Sequence, residues 1–286
     1  MISDILRQRI STLGPVNAVE QENMLQELMQ HLILASLSRA GFFSVGCFHG
    51  GTCLRILFGT SRFSEDLDFL LKKPDPGFRW NPFLERIRRD CLADGIYFDV
   101  QDKTRTDTVV QKAFLKSDSI GQILTLDLPF ERDRRRKIRV KLEVDANPPA
   151  GSRFESRYIT FPMTAAITTQ ELGSGFATKS HALLCRGYTK GRDWYDFLWY
   201  VSKKVVPELQ LLANALRQQG PWAGQTLEVT AAWYLEVMRA RIEEIDWEAA
   251  RSDVERFVPS REHESLALWK PDLFLYQLDR LAEYLL

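Results

Sequence analysis

Residues 49–70, HGGTCLRILFGTSRFSEDLDFL, leave few ways for this chain to fold. Two glycines and a threonine open the stretch, an apolar run follows, and Asp66-Leu67-Asp68-Phe69 closes it. Successive side chains of a β-strand point to opposite faces. Asp66 and Asp68 therefore project together, while Leu67 and Phe69 turn into a core. Adjacent carboxylates repel, and they keep their charge most easily around a hard divalent cation such as Mg²⁺. The Gly50-Gly51-Thr52 turn offers backbone N–H groups, and a helix N-terminus if Thr52 caps the segment after it. That arrangement suits a phosphate. A metal beside a phosphate cradle points to phosphoryl or nucleotidyl transfer.

The rest of the pattern divides near residue 165. Before it, helices are expected over Ser3–Leu13, Val19–Ala40, Thr52–Phe58 and from Asn81-Pro82 to Gly95. Strands are expected over Phe42–Phe48 and Asp66–Leu71. From Ile96 to Val144 the period changes to two, in IYFDV, VVQKAFLK, GQILTLDLPF and KIRVKLEV, which predicts a meander added to those strands. Arg157–Met163 reads as a last strand. Beyond it the spacing is helical, over Phe176–Arg186, Arg192–Lys203, Gln225–Ile242, Glu248–Phe257 and from Phe274 to the end, with Pro207, Pro221, Pro259 and Pro271 as breaks. A mixed α/β domain (residues 1–165) thus precedes a helical one (166–286).

Composition excludes several classes. With 45% hydrophobic and 27% charged residues the chain is not disordered. Lys+Arg and Asp+Glu both number 38, so net charge names no partner and any polyanion must meet a local patch. Cys47, Cys53, Cys91 and Cys185 lie far apart with no CxxC, which predicts buried or free thiols and neither zinc nor disulfides. The start MISDILRQRI lacks a signal peptide's apolar stretch, and no apolar run approaches the ~20 residues of a membrane span. A soluble, cytoplasmic protein with no membrane partner is expected.

Glu143, between Leu142 and Val144, points away from the core that those residues enter. With Asp66 and Asp68 it makes three carboxylates able to hold two Mg²⁺ ions, or Mn²⁺, for in-line displacement at phosphorus. A salt bridge to the preceding arginines is its plainer use. Asp145 is the weaker candidate. The basic run Arg132–Lys141 could touch tRNA or another polyanion, or be a solvated hairpin face. Later, Lys179, Leu183 and Arg186 share one helical stripe, whose cations could meet the β- and γ-phosphates of a nucleotide. Trp194, Phe197, Leu198 and Tyr200 read as core, and His49 and His181 as structural.

A glycine pair, a spacer, D-apolar-D on one strand and an acid on a later strand resemble the DNA polymerase β-like nucleotidyltransferase superfamily. The wording GGTCLRILFGTSRFSEDLDF, then Lys141-Leu142-Glu143, then Lys179, Arg186 and Lys190-Gly191-Arg192-Asp193-Trp194-Tyr195-Asp196, is similar to its AbiEii/AbiGii toxin branch, which includes the MenT toxins. The resemblance covers residues 49–200 and implies an α+β fold, a mixed sheet with flanking helices followed by a helical domain. It implies catalytic roles for Asp66, Asp68, Glu143, Lys179 and Asp193. Gly50, Gly51, Thr52, Arg62, Ser64, Arg186, Lys190 and Arg192 would bind the nucleotide, with Asp196 in support. It further implies an Mg²⁺-dependent toxin of a toxin–antitoxin or abortive-infection system, transferring a nucleoside monophosphate from an NTP to the tRNA 3′ end and countered by a separately encoded antitoxin. A protein or antibiotic hydroxyl as acceptor, or an NTP-binding regulator that transfers nothing, are the competing readings.

Overall fold

The computed structural model describes residues 17–93, 95–102, 119–128 and 136–286, with isolated positions before residue 17. The expected VVQKAFLK strand, residues 132–135 of the basic run and residues 3, 4, 6, 7, 10 and 13 of the expected first helix lie outside the described residues. The chain falls into two compact units, Met1–Pro148 with Glu155–Thr169, and Pro149–Phe154 with Gln170–Leu286.

The first unit is α+β. Helix α1 (Ala18–Arg39) starts where the Asn17 side chain accepts the Glu20 N–H at 2.8 Å. It buries Leu25, Leu28, Met29, Leu32 and Ile33. Strand β1 (Gly46–His49), helix α2 (Gly50–Phe58), strand β2 (Leu67–Leu71) and helix α3 (Asn81–Ala93) follow. Strands β3 (Tyr97–Asp102), β4 (Ser119–Leu128) and β5 (Arg136–Asp145) form the expected antiparallel meander, and β6 (Phe154–Ile159) and β7 (Ala165–Gln170) complete the sheet. Its order is β3-β4-β5-β2-β1-β7-β6, with β2 parallel to β5 and β1 parallel to β7.

Three expectations need correction here. The strand read from Phe42 begins only at Gly46, because Phe42–Ser44 is a 3₁₀ turn. Phe42 leaves the strand path to join an aromatic cluster, stacked on Trp80 at 5.4 Å with Phe69 edge-on at 4.9 Å. Residues 166–170, assigned to the helical half, belong to strand β7 (Ala165–Gln170), and Thr169 Oγ1 donates to the Phe48 carbonyl of β1 at 2.9 Å. The preceding strand covers Phe154–Ile159 instead of Arg157–Met163.

The second unit is helical: α4 (Leu172–Cys185), α5 (Gly191–Ser202), α6 (Leu209–Gln218), α7 (Ala231–Glu244), α8 (Trp247–Glu255) and α9 (Pro271–Leu285), with a 3₁₀ segment at Ser260–Leu268. Helix α6 escaped the sequence reading, although Leu211, Leu212, Ala215 and Leu216 are a buried stripe at helical spacing. Trp247 stacks on Phe274 at 3.8 Å, and Trp194 meets both rings edge-on. Trp194, Phe197 and Tyr200 are core residues, as expected, whereas Leu198 is only half-buried. All four cysteines are buried thiols. No described helix is long and apolar enough to cross a membrane.

Candidate functional site

The site in the first unit is built by strand register. Leu67 pairs with Leu142 and Phe69 with Val144, and all four side chains are buried in the core. The intervening pair, Asp68 and Glu143, therefore lies on the opposite face, with both side chains half-buried. Asp66 precedes β2 by one residue and shares the face of Asp68. Sequence spacing could place each acid on its strand's outer face, but only the parallel β2–β5 pairing sets Glu143 beside Asp68.

The glycine turn abuts this face. His49 pairs with Asp68 across the antiparallel β1–β2 ladder, and Gly50 follows at φ +81°. A side chain there would be strained and would press on the Asp68 carboxylate. His49, not Thr52, is the N-cap position, so α2 starts at Gly50 and the N–H groups of its first turn include those of Gly50, Gly51 and Thr52. Thr52 is fully buried, and its hydroxyl donates to the Asp66 carbonyl, tying the first turn of α2 to the entry of β2. Arg62, 2% exposed, lies under the same turn, where a Cβ on Gly51 would overlap its Nη2. Its Nη1 donates to the Phe63 carbonyl at 3.0 Å. Thr52 and Arg62 thus brace the turn from inside.

The segment carrying Ser64 to Asp66 is held by side chains that no motif marked. Gln30 of α1, fully buried, donates to the carbonyls of Ser64 at 2.8 Å and Glu65 at 2.9 Å. Gln26, one turn earlier, reaches the Glu65 carbonyl at 3.1 Å and the Arg139 carbonyl of β5 at 2.7 Å. Arg55 of α2 donates to the carbonyls of Thr60 and Ser61 and pairs with Glu27 at 2.8 Å. Two glutamines one turn apart on an otherwise apolar helix stripe are the only sequence trace of this clamp. Asp145 accepts the Asn147 N–H at 3.1 Å and is buried, so it closes the turn after β5.

The three carboxylates are an oxygen-only donor set of the kind hard divalent cations take. Among the described residues, no three His, Cys, Asp or Glu side chains already close around one point at metal-binding spacing. Glu143 is instead ion-paired with the Lys141 ammonium. Burial lowers the Lys141 pKa, but Glu143, Asp66 and Asp68 together outweigh it and raise the value above that of an ordinary lysine. The Lys141 ammonium is thus paired with Glu143 and favoured by the charge of Asp66 and Asp68, and the chemistry of the three carboxylates is that of a hard-cation donor set.

The second unit carries its own charged cluster. Lys179 on α4 meets Asp193 at 2.6 Å and Asp196 at 2.7 Å, both on α5. The three side chains are 11%, 6% and 0% exposed. Arg186, the C-cap of α4 and not part of its helical stripe, brings Nε to 3.2 Å from the second Asp193 oxygen. Burial alone would raise the Asp193 pKa, but Lys179, Lys190 and Arg186 hold its carboxyl well below the usual range. Lys190 is the N-cap position of α5, and burial lowers its pKa despite the pull of Asp193. Arg192 turns elsewhere, its backbone N–H reaching Asp253 at 3.2 Å and its guanidinium lying 4.2 Å over the Phe257 ring. His181 is bonded to the Gln219 carbonyl at 3.1 Å, a structural use.

The family model described as the nucleotidyl transferase AbiEii toxin of a type IV toxin–antitoxin system matches residues 32–274. Among solved structures the chain is similar to JHP933 from Helicobacter pylori, at 17% identity over 91% of this chain and 90% of that one, with a TM-score of 0.51. That likeness is one of fold. A second H. pylori structure, provisionally described as a nucleotidyltransferase, is 16% identical over 90% of this chain and 98% of the other, with a TM-score of 0.48. A search of curated proteins finds no significant match.

Proposed function

The chain belongs to the AbiEii family of nucleotidyl transferase toxins of type IV toxin–antitoxin systems, and from that premise we propose that it transfers a nucleoside monophosphate from an NTP to the 3′ end of a cytoplasmic tRNA. The observation that carries this reading is the pairing of Asp68 with Glu143 on the face that Gly50 abuts. An acceptor hydroxyl oxygen bonds to the α-phosphorus, the bond from that phosphorus to the bridging oxygen breaks, and pyrophosphate leaves as the hydroxyl gives up its proton to solvent. Asp66, Asp68 and Glu143 would hold Mg²⁺ or Mn²⁺, two ions in the full site, which when bound lower the pKa of the acceptor hydroxyl and steady the leaving pyrophosphate.

The chain's own groups position the substrate. N–H groups at the start of α2, from Gly50 onward, receive phosphate oxygens where the helix dipole favours negative charge. Thr52 and Arg62, buried beneath, keep that turn in place. Lys179, with Arg186 and Lys190 around the same aspartate, is assigned to the triphosphate on the family resemblance. Asp193 and Asp196 hold the Lys179 amine in one orientation. A type IV family member implies a separately encoded antitoxin as partner.

The test is incubation of purified protein with radiolabelled NTPs and separate pools of tRNA, protein and aminoglycoside. Label in tRNA with wild type and none with Asp68→Asn supports the reading. Label in another pool replaces tRNA as acceptor. Tight NTP binding with no pyrophosphate release under any acceptor overturns the transferase assignment.

A further inference from the structure

Lys141 stands two residues before Glu143 on β5, so strand alternation gives both side chains one face. The β2–β5 ladder opens with Leu67 and Leu142, so Asp66 and Lys141 stand just before its first pair, and Asp68 and Glu143 form its second. The Lys141 ammonium takes Glu143 as its ion-pair partner. Both side chains remain partly open to solvent, Lys141 38% and Glu143 33% exposed. Such a pair is weak enough to exchange, because solvent screens an ion pair that stays partly exposed.

An ammonium and a divalent cation compete for the same oxygens. While Lys141 holds Glu143, the third carboxylate is not free to close with Asp66 and Asp68. Once a divalent cation takes Glu143, the ammonium loses its anion and repels the incoming charge. An anionic triphosphate beside the metal would relieve that repulsion. We propose that Lys141 is a tethered counter-cation that latches Glu143 in the metal-free protein, weakening metal binding until a nucleotide arrives with it. This rests on the reading of the three carboxylates as a metal site.

Mn²⁺ binding to the nucleotide-free protein, followed by the electron paramagnetic resonance signal of free Mn²⁺, tests the latch without any turnover. Lys141→Met keeps the stem and removes the charge; it should bind Mn²⁺ at least about fivefold more tightly than wild type, given the size of a unit charge's repulsion at short range. Lys141→Gln should do the same, and Lys141→Arg should stay close to wild type. Unchanged or weaker binding in both neutral variants overturns the latch. The underlying site is judged separately: Asp66→Asn/Asp68→Asn should abolish Mn²⁺ binding, and if it does not, the metal-site reading fails too. Binding that appears only in the neutral Lys141 variants supports the latch, and binding in none of the proteins overturns both readings.

Discussion

A Cβ on Gly50 would stand 2.7 Å from Oδ2 of Asp68 and 3.2 Å from its Cβ, with the backbone at φ +81°. The carboxylate read as the metal ligand and the first residue of the phosphate turn are thus in contact, and a side chain added at Gly50 would have to displace that carboxylate. Gly50→Ala should lose at least about 100-fold in NMP transfer and destabilise the fold by about 1–3 kcal/mol, the usual cost of a non-glycine residue in this region. Urea unfolding measures the second and pyrophosphate release the first. Wild-type transfer by Gly50→Ala would show that the turn does not seat phosphate.

Thr52 acts through Asp66. Thr52→Val removes the donor to the part-buried Asp66 carbonyl, for a loss of about 1 kcal/mol, the usual worth of one such hydrogen bond. Turnover should fall with kcat more than with KM, because the carboxylate shifts while the turn's N–H groups remain. Thr52→Ser, which keeps the hydroxyl, should recover most of both.

Lys179 is shared by two buried carboxylates, and its removal takes that ammonium from both and leaves Asp193 to Arg186 and Lys190. Lys179→Met should destabilise the protein by about 3–5 kcal/mol, as expected when one member of a buried charge cluster is deleted. Asp196→Asn added to Lys179→Met should regain part of the loss. Thermal melts of the two variants measure this, and an additive further loss in the double variant would contradict the assignment.

Asp193 makes the stability depend on acid. Its folded pKa lies below the unfolded value of about 3.9, so its stabilising contribution is complete above that pH and is lost as pH falls towards the folded value. Denaturant midpoints of wild type and Asp193→Asn should therefore differ most at neutral pH and converge below about pH 4. A gap that stays constant from neutrality to acid would show that Asp193 is not held ionised by its cationic neighbours.

Much of the candidate site could be read from the chain alone, for a local reason. The faces of Asp66, Asp68 and Glu143 follow from alternation within single strands, and the glycine turn follows from neighbours in sequence. Pro and Gly breaks likewise marked most helix ends to within a few residues. Misreadings arose where distant residues chose the conformation. Phe42 gave up strand geometry for rings contributed by Phe69, Trp80 and Phe83. Ala165–Gln170 became a strand because β1 offered it an edge.

Local sequence thus determined which side chains are acidic, which face each takes, and where the chain turns, because those depend on periods of two or 3.6 residues. Tertiary structure alone decided that Glu143 lies beside Asp68 and that Gln26 and Gln30 hold the Asp66 segment. It also decided that Lys179 of α4 serves two aspartates of α5. Strand register and ion-pair choice are contests among groups far apart in sequence. Burial of Leu67, Phe69, Leu142 and Val144 in one core settles the first, and the packing of α4 on α5 settles the second.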